Sequence, residues 1–124
     1  MHNDCNTGKY KELRGEEGKE SHHIIQNASV KDMPGYSSSN APAISLEGPS
    51  TRIGTEHYKA TQFQSHNKYG GTYGDERKVA YISLRKAGKT KEEAFQAINY
   101  ADKYFVGELG WDFTTITRIP KNRR

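Results

Sequence analysis

Apolar residues reach this chain in short, separated groups, and the spacing inside each group predicts an element. The first group is His23-Ile24-Ile25, a β-branched run between Glu20-Ser21 and Gln26-Asn27, which suits a strand or the turn after one. Ala43-Ile44-Ser45-Leu46 alternates apolar and polar positions and predicts a second strand, closed by Gly48-Pro49-Ser50. Between them, Met33 to Asn40 reads as loop. Thr51 to Gln64, with His57, Tyr58, Ala60 and Thr61, predicts a short helix, and Gly70 to Gly74 a turn. From about Asp75 to Ala87 a helix with Val79, Ile82 and Leu84 on its apolar side is expected, stopped by Gly88. Thr90-Lys91-Glu92-Glu93 is a capping-box pattern, and Ala94, Ala97, Ile98, Ala101 and Phe105 after it share one helical face. The two helices make a hairpin over about 75–107, ending near Gly107 or Gly110. Trp111 to Ile119 is an extended closing segment. Residues 1–19 are polar and glycine-punctuated, with a short helix or turn at Tyr10 to Arg14, and read as a lead-in outside the core. The order is strand, strand, helix, helical hairpin, an α+β chain without internal repeat.

Composition narrows what such a chain does. Its 124 residues suggest one domain, and only 32% of them are apolar. Mean hydropathy is −1.00, so the core is thin. Eight tyrosines outnumber four phenylalanines and one tryptophan, and a tyrosine packs its ring while keeping a hydroxyl for water or phosphate. The net charge of +4 favours a polyanionic partner weakly, because Lys and Glu are mixed throughout. The densest basic stretch, Arg118, Lys121, Arg123 and Arg124, is either a solvated tail or a phosphate-binding one. The one cysteine, Cys5, excludes an internal disulfide and a cysteine-based zinc site. No apolar run approaches the roughly 18 residues of a membrane span, and the start lacks an apolar signal region. Delivery outside the cell therefore requires a carrier. Gly70 to Gly74 lacks the Lys-Ser/Thr ending of a phosphate-binding loop, which argues against a nucleoside triphosphate site.

The candidate chemistry lies in the histidines: His2, His22, His23, His57 and His66. Neighbours in an extended segment point to opposite faces, so His22 and His23 have different jobs. Ile24-Ile25 would hold both imidazoles at the rim of a core. A metal site needs ligands that converge from separate elements, and neutral imidazole suits transition metals. Phosphodiester hydrolysis needs an activated water, charge neutralisation and a stabilised leaving oxygen; one histidine base and one divalent ion supply all three. On residue type alone, a His-His pair is more often structural than catalytic, His57 is an ordinary helix histidine, Asn40 a loop residue, and His66 a surface histidine in reserve. Lys59, Lys68, Arg77 and Lys78 flank the site in sequence as either phosphate contacts or a solvated face.

Glu20-Ser21-His22-His23-Ile24-Ile25-Gln26 resembles the motif of the HNH/endonuclease VII toxin family with an SHH signature, part of the His-Me finger, or ββα-metal, nucleases. The resemblance spans about residues 20–60, with a looser likeness in the helical hairpin and Thr117-Arg118-Ile119-Pro120. It implies an α+β fold with a small ββα-metal core at about 20–64 inside a nuclease domain over 20–124. It also implies His23 as general base, His22 and His57 as metal ligands, and Asn40 orienting the base, with Ser39 or Ser45 as alternatives. Where relatives have a second helix histidine, this chain has Thr61, which leaves waters or a carboxylate such as Glu56 to complete the set. The resemblance further implies a divalent ion (Mg, Mn, Ni or Zn) and a DNA substrate, or RNA. It implies an acidic cognate immunity protein as partner. It implies the C-terminal position in a larger Rhs or contact-dependent secreted protein, with type VI secretion among the routes into the cytoplasm of a target bacterial cell. His2-Asn3 is similar to the end of an intein-like processing module, or else is an ordinary polar start.

Two other classes compete with a metal-dependent endonuclease. A metal-independent ribonuclease toxin would use paired histidines as acid and base and would work in chelator. A non-catalytic basic module would retain DNA in a salt-sensitive way and never nick it.

Overall fold

The computed structural model describes residues 6–15, 17–66 and 70–120. Three antiparallel strands form one sheet in the order β1 (Thr7–Lys9), β3 (Pro42–Glu47), β2 (Lys19–His23). β2 pairs with β3 so that His22 stands opposite Ile44 and His23 opposite Ala43. Four helices follow the pattern of the chain: α1 (Asn27–Val30), α2 (Glu56–His66), α3 (Tyr73–Ala87) and α4 (Lys91–Asp102), which runs on into a π-helical turn at Lys103–Glu108. Among the described residues no helix is long and apolar enough to cross a membrane.

β3 is central, and every residue in it but Glu47 is buried. The expected alternation therefore does not separate core from solvent: Ser45 is as inaccessible as its apolar neighbours. β2 ends at His23, so Ile24 and Ile25 form the bend after it; both are fully buried, and Ile24 N donates to Pro42 O. They anchor the tandem histidines as expected. Ile44, Leu46, Val30, Ala60, Leu84, Ala97, Ala101 and Phe105 complete one core. Tyr73, Phe105 and Trp111 cluster at its far end, with ring centres 4.9 to 5.7 Å apart.

The helical hairpin forms where expected, with a shifted start. α3 begins at Tyr73 because Thr72 Oγ1 caps it by accepting from Asp75 N at 3.1 Å. Gly74, which reads as part of the break, sits inside the first turn. A Cβ there would lie 2.9 Å from the Phe113 carbonyl oxygen, so the glycine permits a close backbone approach. The buried face of α3 runs through Tyr73, Glu76, Val79, Ala80, Ser83, Leu84 and Ala87; Ile82 lies off it, half-buried, because 3.6-residue spacing from Tyr73 turns it outward. Gly88 ends the helix at φ 107°, a left-handed cap. The capping box at the start of α4 is present, with Thr90 N donating to Glu93 Oε1 at 2.8 Å and Glu93 N to Thr90 Oγ1 at 3.1 Å.

The lead-in reading of residues 1–19 is corrected over the described part. Thr7 to Lys9 pair with Ile44 to Pro42. The 3-10 turn Tyr10–Glu12 is then clamped to the loop before β3 by Tyr10 N to Ala41 O and Lys11 N to Ser39 O. A three-residue strand with one apolar-free turn has no periodicity to betray it; its backbone pairing alone places it. His2-Asn3 and Cys5 lie outside the described residues, as do Lys68 and Lys121 to Arg124.

Candidate functional site

Strand alternation sorts the motif into two faces. Glu20 and His22 point one way, Ser21 and His23 the other. On the first face, α2 brings His57 against both partners. The His57 Nδ1–H donates to Glu20 Oε1 at 2.7 Å. The His22 and His57 rings meet edge to face with centres 4.9 Å apart and planes at 80°. Since a carboxylate only accepts, Nδ1 of His57 carries a proton, which leaves Nε2 as the nitrogen that could ligate a metal. Glu20 is itself held, because Oε1 also accepts from Ser50 N at 3.0 Å. Gly48 makes room for it: a Cβ at that position would lie 2.8 Å from Glu20 Cγ.

His22 is 5% exposed, and its Nε2 has no hydrogen-bond partner. Burial first, then the nearby His57 and His23, lower its pKa to about 3. The ring is therefore neutral at physiological pH, the form that binds a metal. Two imidazoles that each ligate one ion at ~2.1 Å, at angles from square to tetrahedral, have ring centres roughly 4.5–5.2 Å apart. The observed separation of 4.9 Å falls in that interval. An acidic residue behind one imidazole is the usual way to fix a ligand's tautomer. The donor set thus fits a divalent ion held by His22 and His57. Among the described residues no group of three or more His, Cys, Asp or Glu side chains converges, so oxygen ligands from water or substrate would complete it.

On the second face, His23 is framed by two contacts. Its ring stacks on Tyr10 with centres 4.0 Å apart and planes 3° from parallel. Its Nε2–H donates to the Ser38 carbonyl oxygen at 2.9 Å. Ser21 Oγ donates to the Tyr10 carbonyl at 2.9 Å, so the serine of the SHH triplet ties down the turn that carries the stacking ring. Because a carbonyl only accepts, the Ser38 bond puts the proton on Nε2 and makes Nδ1 the basic nitrogen of the neutral imidazole. Burial lowers the His23 pKa, partly opposed by the Ser38 bond, which favours that neutral form near pH 7.

Both faces open onto one pocket at the end of β2, about 150 Å³ in volume, lined by Tyr10, Ser21, His22, His23, Gln26, Asn27, His57, Thr61 and Gln64. Thr61 and Gln64 stand four and seven residues after His57, on the same face of α2. Gln64 is 6% exposed, and its Nε2 amide has no acceptor. Gln26, in the same lining, donates from Nε2 to the buried Glu76 at 3.1 Å and binds the motif to α3.

The remaining candidates lie elsewhere. Asn40 does not touch His23: the Ser38 backbone carbonyl takes the place expected for its amide, Asn40 lines a separate pocket, and its Oδ1 is buried without a partner. Ser39 uses its carbonyl on Lys11 N, and Ser45 stands opposite Ser21 within the sheet. Glu56 accepts from Glu47 N at 2.8 Å and pairs with Lys89 Nζ at 3.7 Å, and it does not line the histidine pocket. Lys59 is two residues from His57, about 200° around α2, and faces an outer groove with Tyr58, Phe63 and His66. His66 bonds Gln62 O at 2.9 Å on that exposed side. Arg77 forms a forked pair with Asp102 (Nε to Oδ1 2.9 Å, a terminal nitrogen to Oδ2 2.8 Å), and its guanidinium carbon sits 4.3 Å from the centre of the Phe113 ring. Two of its nitrogens are thus taken by Asp102, and it lines a pocket other than that of the histidines. Reading by residue type passed over Glu20, Gly48 and Gln64, although the period-2 spacing Glu20–His22 and the helical spacing His57–Thr61–Gln64 were present as signals. Nothing in sequence marks Tyr10 or the Ser38 carbonyl.

No curated protein and no solved structure matches the chain. The family model for HNH/Endo VII superfamily toxins with an SHH signature matches residues 16–106, from the strand of the tandem histidines to the end of the helical hairpin. Three quarters of its length being covered in this way, the chain belongs to that family of nuclease toxins, and Ser21-His22-His23 is its signature triplet.

Proposed function

We propose that this domain is a metal-dependent endonuclease that hydrolyses DNA phosphodiester bonds, with His23 as general base and His22 and His57 as ligands of one divalent ion. The observation that carries the reading is the meeting of His57 with the unpartnered, neutral His22, while the adjacent His23 opens into the same pocket. A bound divalent ion would neutralise phosphate charge and stabilise the leaving oxygen. The chain's own groups do the rest. Nδ1 of His23 takes a proton from the attacking water, and the Ser38 carbonyl and Tyr10 ring keep that nitrogen aimed as the ring becomes charged. Stacking and a bond to a carbonyl both stabilise the imidazolium that forms. Glu20 holds His57 in the ligating tautomer. The unpaired Gln64 amide is the donor for a phosphate oxygen, and the order β2, β3, α2 supports a ββα-metal core.

The family supports a delivered toxin that acts in a target cell. The fuller reading is the C-terminal toxin of an Rhs or contact-dependent type protein, with an acidic cognate immunity protein in the producing cell. Plasmid nicking with Mg, Mn, Ni and Zn, with and without EDTA, tests the chemistry on wild type and His23→Ala. Cleavage that needs a metal and vanishes in the variant is the expected result. Full activity of His23→Ala sinks the assignment, and undiminished RNA cleavage in EDTA replaces it with a metal-independent ribonuclease.

A further inference from the structure

A second pocket of about 340 Å³ is lined in part by residues close in sequence to those that frame His23. The chain passes from one to the other at two places. Lys9 lines the pocket and precedes Tyr10, whose ring stacks on His23. Ser37 and Asn40 line it, one position before and two after Ser38, whose carbonyl holds His23. Consecutive Cα atoms lie about 3.8 Å apart, the scale of the ~3.4 Å advance per nucleotide along a strand, so residues adjacent in sequence to those that hold His23 can meet a neighbouring nucleotide of a strand cut there.

The lining has the chemistry of a nucleotide site. Tyr100, partly buried on α4, supplies aromatic surface for stacking, and the buried Tyr104 of the π-helical turn lines the pocket beside it. Tyr104 is also the acceptor for Ser37 N at 3.0 Å, so it is fixed in place. Lys9 and Lys103 stand exposed beside the pocket as phosphate partners. Asn40 Oδ1 is a buried acceptor with no donor, which is costly unless something supplies one. Adenine, cytosine and guanine carry an exocyclic amino group; thymine and uracil do not.

We propose that this pocket is a nucleotide subsite that takes an unstacked base with an exocyclic amino group, donated to Asn40, from the strand being cut. It rests on the nuclease reading for its substrate. The base must leave its stack, so single-stranded substrate enters more readily than duplex.

The test uses the whole domain in EDTA, titrated with AMP, CMP, GMP and UMP and followed by NMR and calorimetry, so that binding is read without cleavage. The amino-bearing nucleotides should bind about five- to tenfold more tightly than UMP, the scale of one net hydrogen bond. Asn40→Leu should erase that difference, and Lys103→Ala should weaken all four alike. Tyr100→Ala, which leaves Asn40 in place, should weaken all four and keep the difference if Asn40→Leu fails to fold. Binding of all four with equal affinity, an unchanged preference in Asn40→Leu, or shifts confined to the histidine pocket would overturn the assignment. Absence of plasmid nicking by the wild-type domain with any metal, while the nucleotide preference is present, would instead count against the nuclease reading alone.

Discussion

Replacing His22 with leucine in the metal-free protein should remove much of its sensitivity to mild acid. His22 is 5% exposed, has no partner on Nε2, and has its pKa lowered to about 3 by burial and by the neighbouring histidines. In the unfolded chain the same ring titrates near 6.5. The folded value is the lower of the two, so the unfolded state binds a proton that the folded state refuses. Stability is thus fully present above pH 6.5 and is lost as pH falls from there toward 3. Between pH 7.5 and 5.0 this one group removes about 2 kcal/mol, from a slope of ~1.4 kcal/mol per pH unit over the window below 6.5. That is a large share of the ~5–15 kcal/mol by which such domains are stable. Urea unfolding in EDTA at the two pH values, on wild type and His22→Leu, measures it. Wild type should lose about 2 kcal/mol more than the variant over this interval, since the carboxylates and other histidines contribute to both. The variant should also lose the thermal shift that Zn or Ni gives wild type. Equal losses in the two proteins would refute the reasoning, because His22 would then reach water or a proton-accepting partner.

Three further outcomes follow from named contacts. Gly48→Ala places a Cβ on the Glu20 side chain and should displace it from His57; metal affinity by calorimetry should fall about 10–100-fold, matched by Glu20→Gln, with the fold retained. Gln64→Met removes a buried amide without an acceptor; the unfolding free energy should hold or rise by up to ~1 kcal/mol while single-turnover cleavage drops tenfold or more. Arg77→Ala breaks the forked pair with the partly buried Asp102; stability should fall by roughly 1–2 kcal/mol, with cleavage per folded molecule retained, whereas a phosphate contact would raise KM and spare stability.

What sequence alone determined was everything carried by local repetition. The capping box at Thr90 and the 3.6-residue spacing of Ala94, Ala97, Ile98 and Ala101 define α4 without reference to the rest of the chain, and the alternation within Pro42–Glu47 marks β3. The family triplet made His22 and His23 the candidates because its signal is three adjacent residues. Only tertiary structure decided what each ring touches. His57 meets His22 because α2 packs against the sheet, and Glu20 joins them because it shares a strand face with His22. His23 takes its orientation from a main-chain carbonyl, which has no residue identity to read, and from a tyrosine thirteen positions earlier that β1 carries into place. Arg77 and Asn40 show the converse: a charged or amide side chain announces its donors and acceptors, but the partner that uses them is set by packing between elements far apart in the chain.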